Sequence, residues 1–219
     1  MKFKFLTSYI ITSIIMSMSR KFQRSPLALA VLTLLHEAPM HPYRMQRLIK
    51  DRGKDQVINV EQRASLYQTI GQLLRAGLIT FWENTRQEGF PERTVYKLTD
   101  QGHQTAVTWL REMLSTPAQE FPEFPAAVSL LPLLSPEDAL RQMELREARL
   151  SERIASIDRE IQTYAAGLPR LFLLESEYMR VLLEAELKWV RQVSADLRSG
   201  RLGWNDEWMR SFMPPETEE

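Results

Sequence analysis

The chain has 219 residues, 44% hydrophobic and 26% charged, with 28 Lys/Arg against 28 Asp/Glu and no cysteine. That composition fits a soluble globular protein of one large or two small domains, and it excludes wholesale disorder, disulfides and thiolate metal sites. The zero net charge hides a split: residues 20–103 carry 13 Lys/Arg against 8 Asp/Glu, and residues 104–219 carry 13 against 20. A nucleic-acid-facing part joined to a part with another role would give this split, and so would scatter between two soluble domains.

The first segment, MKFKFLTSYIITSIIMSMS, places Lys2 and Lys4 before a patchy apolar run over 5–18. It reads as a disordered extension or a mis-assigned start, with translation beginning at Met16 or Met18. A signal or anchor, with Ser17 and Ser19 as small cleavage-site residues, and an ordered arm are the alternatives. Thr7, Ser8, Thr12 and Ser13 interrupt the run, and it is too short to span a bilayer comfortably.

A helix is expected over 26–37, capped by Ser25, with Pro26 at its first position and Leu27, Ala30, Val31, Leu34 and Leu35 inward. After the break EAPMHP, a second helix over about 43–52 stops at Gly53, with Met45, Leu48 and Ile49 inward. The third, SLYQTIGQLLRAGLI, is capped by Ser65 and ends at Gly77, and it gathers Leu66, Ile70, Leu73 and Leu74 on one face. Two strands follow, over 78–84 and 93–99, as a hairpin around the polar turn TRQEGFPE. Thr99 or Asp100 then starts a fourth helix. Three helices, a hairpin and a helix in this order are the plan of a winged helix-turn-helix over residues 20–114.

Prolines 117, 122, 125 and 132 mark a linker running into a short apolar helix. Ser135 and Pro136, with Glu137 and Asp138 behind them, start a long helix. Leu140, Met143, Glu147, Leu150, Ile154, Ile157, Ile161 and Tyr164 recur in it at spacings of 3 and 4, a near-heptad seam. AGLP breaks the helix. A second long helix over 170–198 carries apolar residues over a wide arc, among them Leu171, Leu174, Tyr178, Val181, Leu182, Ala185, Trp189, Val190 and Val193. The seam fits an internal two-helix hairpin, an intermolecular coiled coil, or both. Residues 115–200 are thus expected to form a helical hairpin, and 201–219 a flexible tail. The fold class is mainly α with a small β-hairpin wing.

No Asp or Glu occurs over 62–82. A helix face free of acids can enter the major groove, and a plain solvated face is the competing reading. Ser65 and Tyr67 can reach phosphate oxygens, Gln68 and Gln72 can offer paired groups to adenine, and Arg63 suits a guanine or a phosphate. Arg86 and Arg93 on the hairpin can hold phosphate or the minor groove, or pair with Glu88 and Glu92. Trp109, Phe121, Phe124 and Tyr164 are aromatic candidates for an effector site, with ordinary packing as the competing role of each. His36, His41 and His103 are spaced too widely for a histidine metal site. There is no P-loop, Gly-rich dinucleotide fingerprint or Gly-x-Ser-x-Gly elbow, so neither catalysis, a cofactor nor a metal is expected.

HPYRMQRLI, SLYQTIGQLLRAGLI and ERTVYKLTDQGHQTA resemble, in order and spacing, successive signatures of the PadR family of bacterial transcriptional regulators. The carrying residues are Leu66-Tyr67, Leu73-Leu74, Gly77-Leu78-Ile79, Tyr96, Leu98-Thr99 and Gly102. The stretch from Phe124 to Leu134, the Ser135 helix and AELKWV resemble the C-terminal dimerisation region of the longer subgroup. The chain departs from the family's usual His-Gly-Tyr at His41-Pro42-Tyr43, and from its usual glycine-containing approach to the third helix at Arg63-Ala64-Ser65. The resemblance implies a cytoplasmic, nucleoid-associated homodimeric regulator, more often a repressor, on a pseudo-palindromic double-stranded DNA operator and off the membrane. Tyr178, Leu182, Trp189 and Val193 are expected near the dimer contact, with the hairpin core as their competing role, and a small-molecule effector is a candidate partner. The alternative is a helical interaction protein that uses its winged helix for protein contacts.

Overall fold

The computed structural model describes residues 24–60, 63–85 and 93–211. They divide into two compact units, one ending at Gln119 and one beginning at Glu120. The first holds α1 (Pro26–Glu37), α2 (Pro42–Asp51), α3 (Arg63–Arg75), β1 (Ile79–Thr85), β2 (Arg93–Leu98) and α4 (Asp100–Ser115). The second holds α5 (Glu123–Ser129), α6 (Pro136–Ala165), α7 (Leu174–Arg198) and α8 (Asp206–Arg210). This is the mainly helical winged-helix plan with two long C-terminal helices.

α1 is the centre of the first unit and touches α2, α3, α4 and β2. Ser25 Oγ accepts the Ala28 N–H at its start. With neighbours on several sides, α1 buries more than one stripe: Ala28, Val31 and Leu32 are fully covered, and Leu34 and Leu35 nearly so. Leu27 and Ala30, expected inward, are only partly buried at its edge. α2 begins one residue earlier than expected. Pro42 occupies its first turn, and His41 Nδ1 accepts the Arg44 N–H at 3.1 Å. The helix ends before Gly53, whose φ of 67° is left-handed.

α3 starts at Arg63, so Ser65 lies inside its first turn and is not its cap. Its core side is Leu66, Ile70 and Leu73, with Thr69 beside them. Leu74 was expected inward but is 40% exposed, because it stands about 90° from the centre of that arc at 100° per residue. Gly77, at φ 70°, closes the helix: its N–H donates to Leu74 O, and the Leu78 N–H donates to Leu73 O.

β1 and β2 pair antiparallel from Ile79 opposite Leu98 to Thr85 opposite Arg93, with a bulge at Trp82. Met40, inside the expected break, adds an isolated bridge by exchanging backbone hydrogen bonds with Tyr96. Thr99 caps α4 by accepting the Gly102 N–H, while its hydroxyl contacts the Gly77 and Leu78 carbonyls. A Cβ at position 102 would stand 1.9 Å from the Leu78 carbonyl oxygen. Only glycine lets α4 lie this close to the turn after α3.

In the second unit α6 and α7 form an internal antiparallel hairpin. The α6 seam is Ala139, Met143, Leu150, Ile154 and Ile157, and Glu147 at its edge pairs with Arg191. The α7 seam is Leu183, Leu187, Val190, Ser194 and Leu197. This corrects the expected α7 face, of which only Val190 is fully buried. Residues 170–172 form a 3₁₀ turn before the helix. Residues 201–211, expected as part of a flexible tail, include α8, and Trp204 packs on the second core and donates to Leu134 O. Among the described residues no helix is long and apolar enough to cross a membrane. The first segment lies outside them.

Gly102→Ala should destabilise the first unit by about 3 kcal/mol, because the added methyl meets backbone that cannot yield; denaturant unfolding measures this. Arg52 holds the Glu37 carboxyl below the usual carboxylate range through two hydrogen bonds that join the ends of α1 and α2. The stability from this pair is therefore present at neutral pH and lost as pH falls through the lowered pKa. Glu37→Gln should lower the thermal midpoint at neutral pH, and the gap from wild type should close on acidification.

Candidate functional site

The chemistry of α3 follows from which side its core occupies. With Leu66, Ile70 and Leu73 inward, helical geometry places Ala64, Gln68, Gly71 and Arg75 on the opposite side. Ala64, Gln68 and Arg75 are exposed and Gly71 partly so. Ser65 and Gln72, both half-buried, flank this stripe on one side, and Tyr67, 57% exposed, flanks it on the other with Leu74. The face carries amides, a phenol and one guanidinium, and no acid. Hydroxyl and amide groups there can both donate to and accept from a ligand edge.

Arg63 and Arg75 stand at the two ends of α3. Arg63 is the first residue of α3, and its side chain lies outside the described residues, as does Arg86. Arg93 is placed by its backbone at the start of β2, opposite Thr85. Arg75, the one charge on α3 beyond Arg63, sits at its end, near the glycine stop. A Cβ at Gly71 would meet Arg75 Nη1 at 3.4 Å, so the guanidinium lies back along the outer face over that glycine.

α2 adds a cationic flank, with Tyr43, Arg44, Arg47 and Lys50 exposed. Arg47 pairs with Asp51 on the same helix. On the wing, Lys97 Nζ stands 4.1 Å from the centroid of Trp82, and both Trp82 and Phe81 are about half exposed. The aromatic residues of the wing are a second feature that the strand pattern did not bring out.

The four aromatic effector candidates fall in both units, Trp109 in the first and Phe121, Phe124 and Tyr164 in the second. Trp109 packs partly against the core of the first unit. Phe121 is almost fully exposed. Phe124 meets Trp189 edge-on at 5.8 Å, and the Arg146 guanidinium lies 3.4 Å from its ring centroid. Tyr164 is 18 residues beyond Arg146 on α6, about 27 Å along the axis at 1.5 Å per residue. Phe124 and Tyr164 therefore do not line one pocket.

The dimer candidates divide as well. Tyr178, Leu182 and Trp189 are 63%, 46% and 44% exposed on α7, and Val193 packs partly on the second core. None of the first three belongs to the hairpin seam. Among the described residues no three of His, Asp and Glu gather where they could hold a metal ion.

Residues 31–107 match the model of the "Transcriptional regulator PadR-like family". No curated protein matches the chain. Among solved structures, Bacillus subtilis PadR in complex with operator DNA is 20% identical, covers 80% of this chain and 99% of its own, and superposes with a TM-score of 0.65. The Vibrio cholerae virulence activator AphA is 18% identical over the same shares, with a TM-score of 0.62. Bacillus subtilis PadR in complex with p-coumaric acid is 17% identical, again over the same shares, with a TM-score of 0.59. The long C-terminal helices thus belong to a fold that recurs in these regulators. Over residues 31–107 the chain is thus similar in sequence to the PadR-like family of transcriptional regulators, and over most of its length it is similar in fold to solved structures of such regulators.

Proposed function

We propose that the chain is a homodimeric, sequence-specific DNA-binding regulator that lays α3 in the major groove and works at the nucleoid, in the cytoplasm. The outer face of α3 carries this reading. Acids there would meet phosphate, and the face has none; the amides of Gln68 and Gln72 suit adenine edges. Ser65 and Tyr67 on its flanks, with Arg86 and Arg93 on the wing, are read as phosphate contacts that set register. The likeness to Bacillus subtilis PadR on operator DNA supports the same mode here.

One recognition helix spans only a few base pairs, so a two-fold pair reading two half-sites is the economical arrangement. The exposed stripe of Tyr178, Leu182 and Trp189 on α7 supports a second copy as the partner. We further read the protein as a repressor released by a small-molecule effector, a class supported by the p-coumaric acid complex of the Bacillus protein. Such a ligand acts only through its different affinity for two dimer geometries, one of which misplaces the paired α3 helices.

Protection mapping with purified protein on the DNA upstream of its own gene should give two protected half-sites about one helical turn, or a multiple of it, apart. Absence of protection there and at genome-selected sites would sink the DNA-binding reading. Leu182→Glu places a charge on the α7 stripe and leaves the hairpin seam intact. It should halve the mass measured by light scattering and keep the helical circular dichroism signal. A dimer that survives Leu182→Glu and Tyr178→Glu together would move the interface elsewhere.

A further inference from the structure

The geometry points to Arg75, seated over Gly71, as the side chain of α3 that reads a guanine in the major groove. This rests on the proposed DNA-binding role of α3 and deepens it.

The first ground is position. At 100° per residue Arg75 and Gln68 stand almost diametrically opposite the Leu66–Ile70–Leu73 core, at the centre of the outer face. The second is reach. Side chains on a helix lean toward its N-terminus, and Arg75 does so far enough for Nη1 to lie 3.4 Å from where a Cβ at 71 would be. The fork is thereby brought back from the helix end to the level of Gly71, one residue from Gln72. The small residue beneath it leaves the guanidinium at ordinary contact distance.

The third ground is freedom. Arg75 makes no ion pair or hydrogen bond among the described residues. Many arginines of the chain do. Arg24, Arg52, Arg146, Arg180, Arg191 and Arg198 each hold a carboxylate. An unpaired guanidinium keeps all its donors for a ligand, and a planar fork matches the O6 and N7 acceptors of guanine bidentately. The amides of Gln68 and Gln72 alongside suit adenine, so the face as a whole fits a half-site containing adenines and at least one guanine.

The test selects sites from a library of random duplex DNA with full-length wild type, Arg75→Lys and Arg75→Ala. It then titrates salt on the selected duplex and on its single-base variants. Wild type should recover a motif with a preferred guanine. Arg75→Lys keeps the charge and loses the fork, so its preference for that guanine should fall about ten- to a hundredfold. Its salt slope should stay close to wild type. Arg75→Ala should relax the same position. Gly71→Ala should stay folded, raise the thermal midpoint through helix propensity, and keep the motif, since 3.4 Å leaves room for a methyl group.

If Arg75→Ala weakens every sequence equally and lowers the salt slope by about one while the motif persists, Arg75 is a phosphate contact and the assignment falls. If every preferred guanine survives both variants, it falls too, and the DNA-reading role of α3 stands. If wild type recovers no motif and protects no DNA, the reading of α3 itself fails, and this one with it.

Discussion

The first unit depends on a backbone-to-backbone approach between the start of α4 and the turn after α3. At Gly102 there is no room for a side chain, because the Leu78 carbonyl occupies the place of its Cβ. Thr99 reinforces the junction: its N–H donates to Leu78 O, and its hydroxyl reaches the Gly77 and Leu78 carbonyls while capping α4. The exit of α3, the start of β1, the end of β2 and the start of α4 are thereby held at one point. The C-terminal end of α3 is thereby tied to both the wing and α4.

The second unit is held differently. Its seam is apolar, and ion pairs flank it across the two helices: Arg180 with Asp158, Arg146 with Glu186, Arg191 with Glu147, Arg198 with Glu144. Exposed pairs of this kind add little stability each, about 0–1 kcal/mol. Four in a consistent antiparallel order do more for register, since a slip by one turn would break them and set most of these charges against uncharged residues such as Leu150, Val190 and Ala195. Ser194 is the flaw in the seam, a buried hydroxyl without a hydrogen-bond partner among the described residues. Its burial is a cost that the surrounding leucines and Val190 must offset.

Caps and stops were the most legible features. Ser25, Ser135, Gly53, Gly77 and Gly200 act as their chemistry dictates, because a cap is a local interaction that needs no tertiary partner. Tertiary features were less so. Met40 pairs with Tyr96 across more than fifty residues, and nothing in EAPMHP signals a strand. Ser65 has the chemistry of a cap but not the place, since α3 gains a turn at Arg63. On the candidate site, the missing acids and the two glutamines were readable from spacing. The place of Arg75 on that face was readable too, but the direction of its side chain, back over Gly71, was not.

α7 explains why its own seam was misread, and what that means. Leu183, Leu187, Val190, Ser194 and Leu197 form one stripe at spacings of 4 and 3. Leu174, Tyr178, Leu182, Ala185 and Trp189 form another, about a third of the circumference away, and it is exposed. The outer stripe holds the bulkier aromatic residues, so a pattern search settles on it first. A helix that needed only its hairpin partner would carry charge there. Tyr178, Leu182 and Trp189 each keep about half of their surface exposed, with Trp189 also meeting Phe124 edge-on. The two stripes thus differ in what they cost the fold: the inner one builds the hairpin, and substitutions on the outer one leave that seam intact.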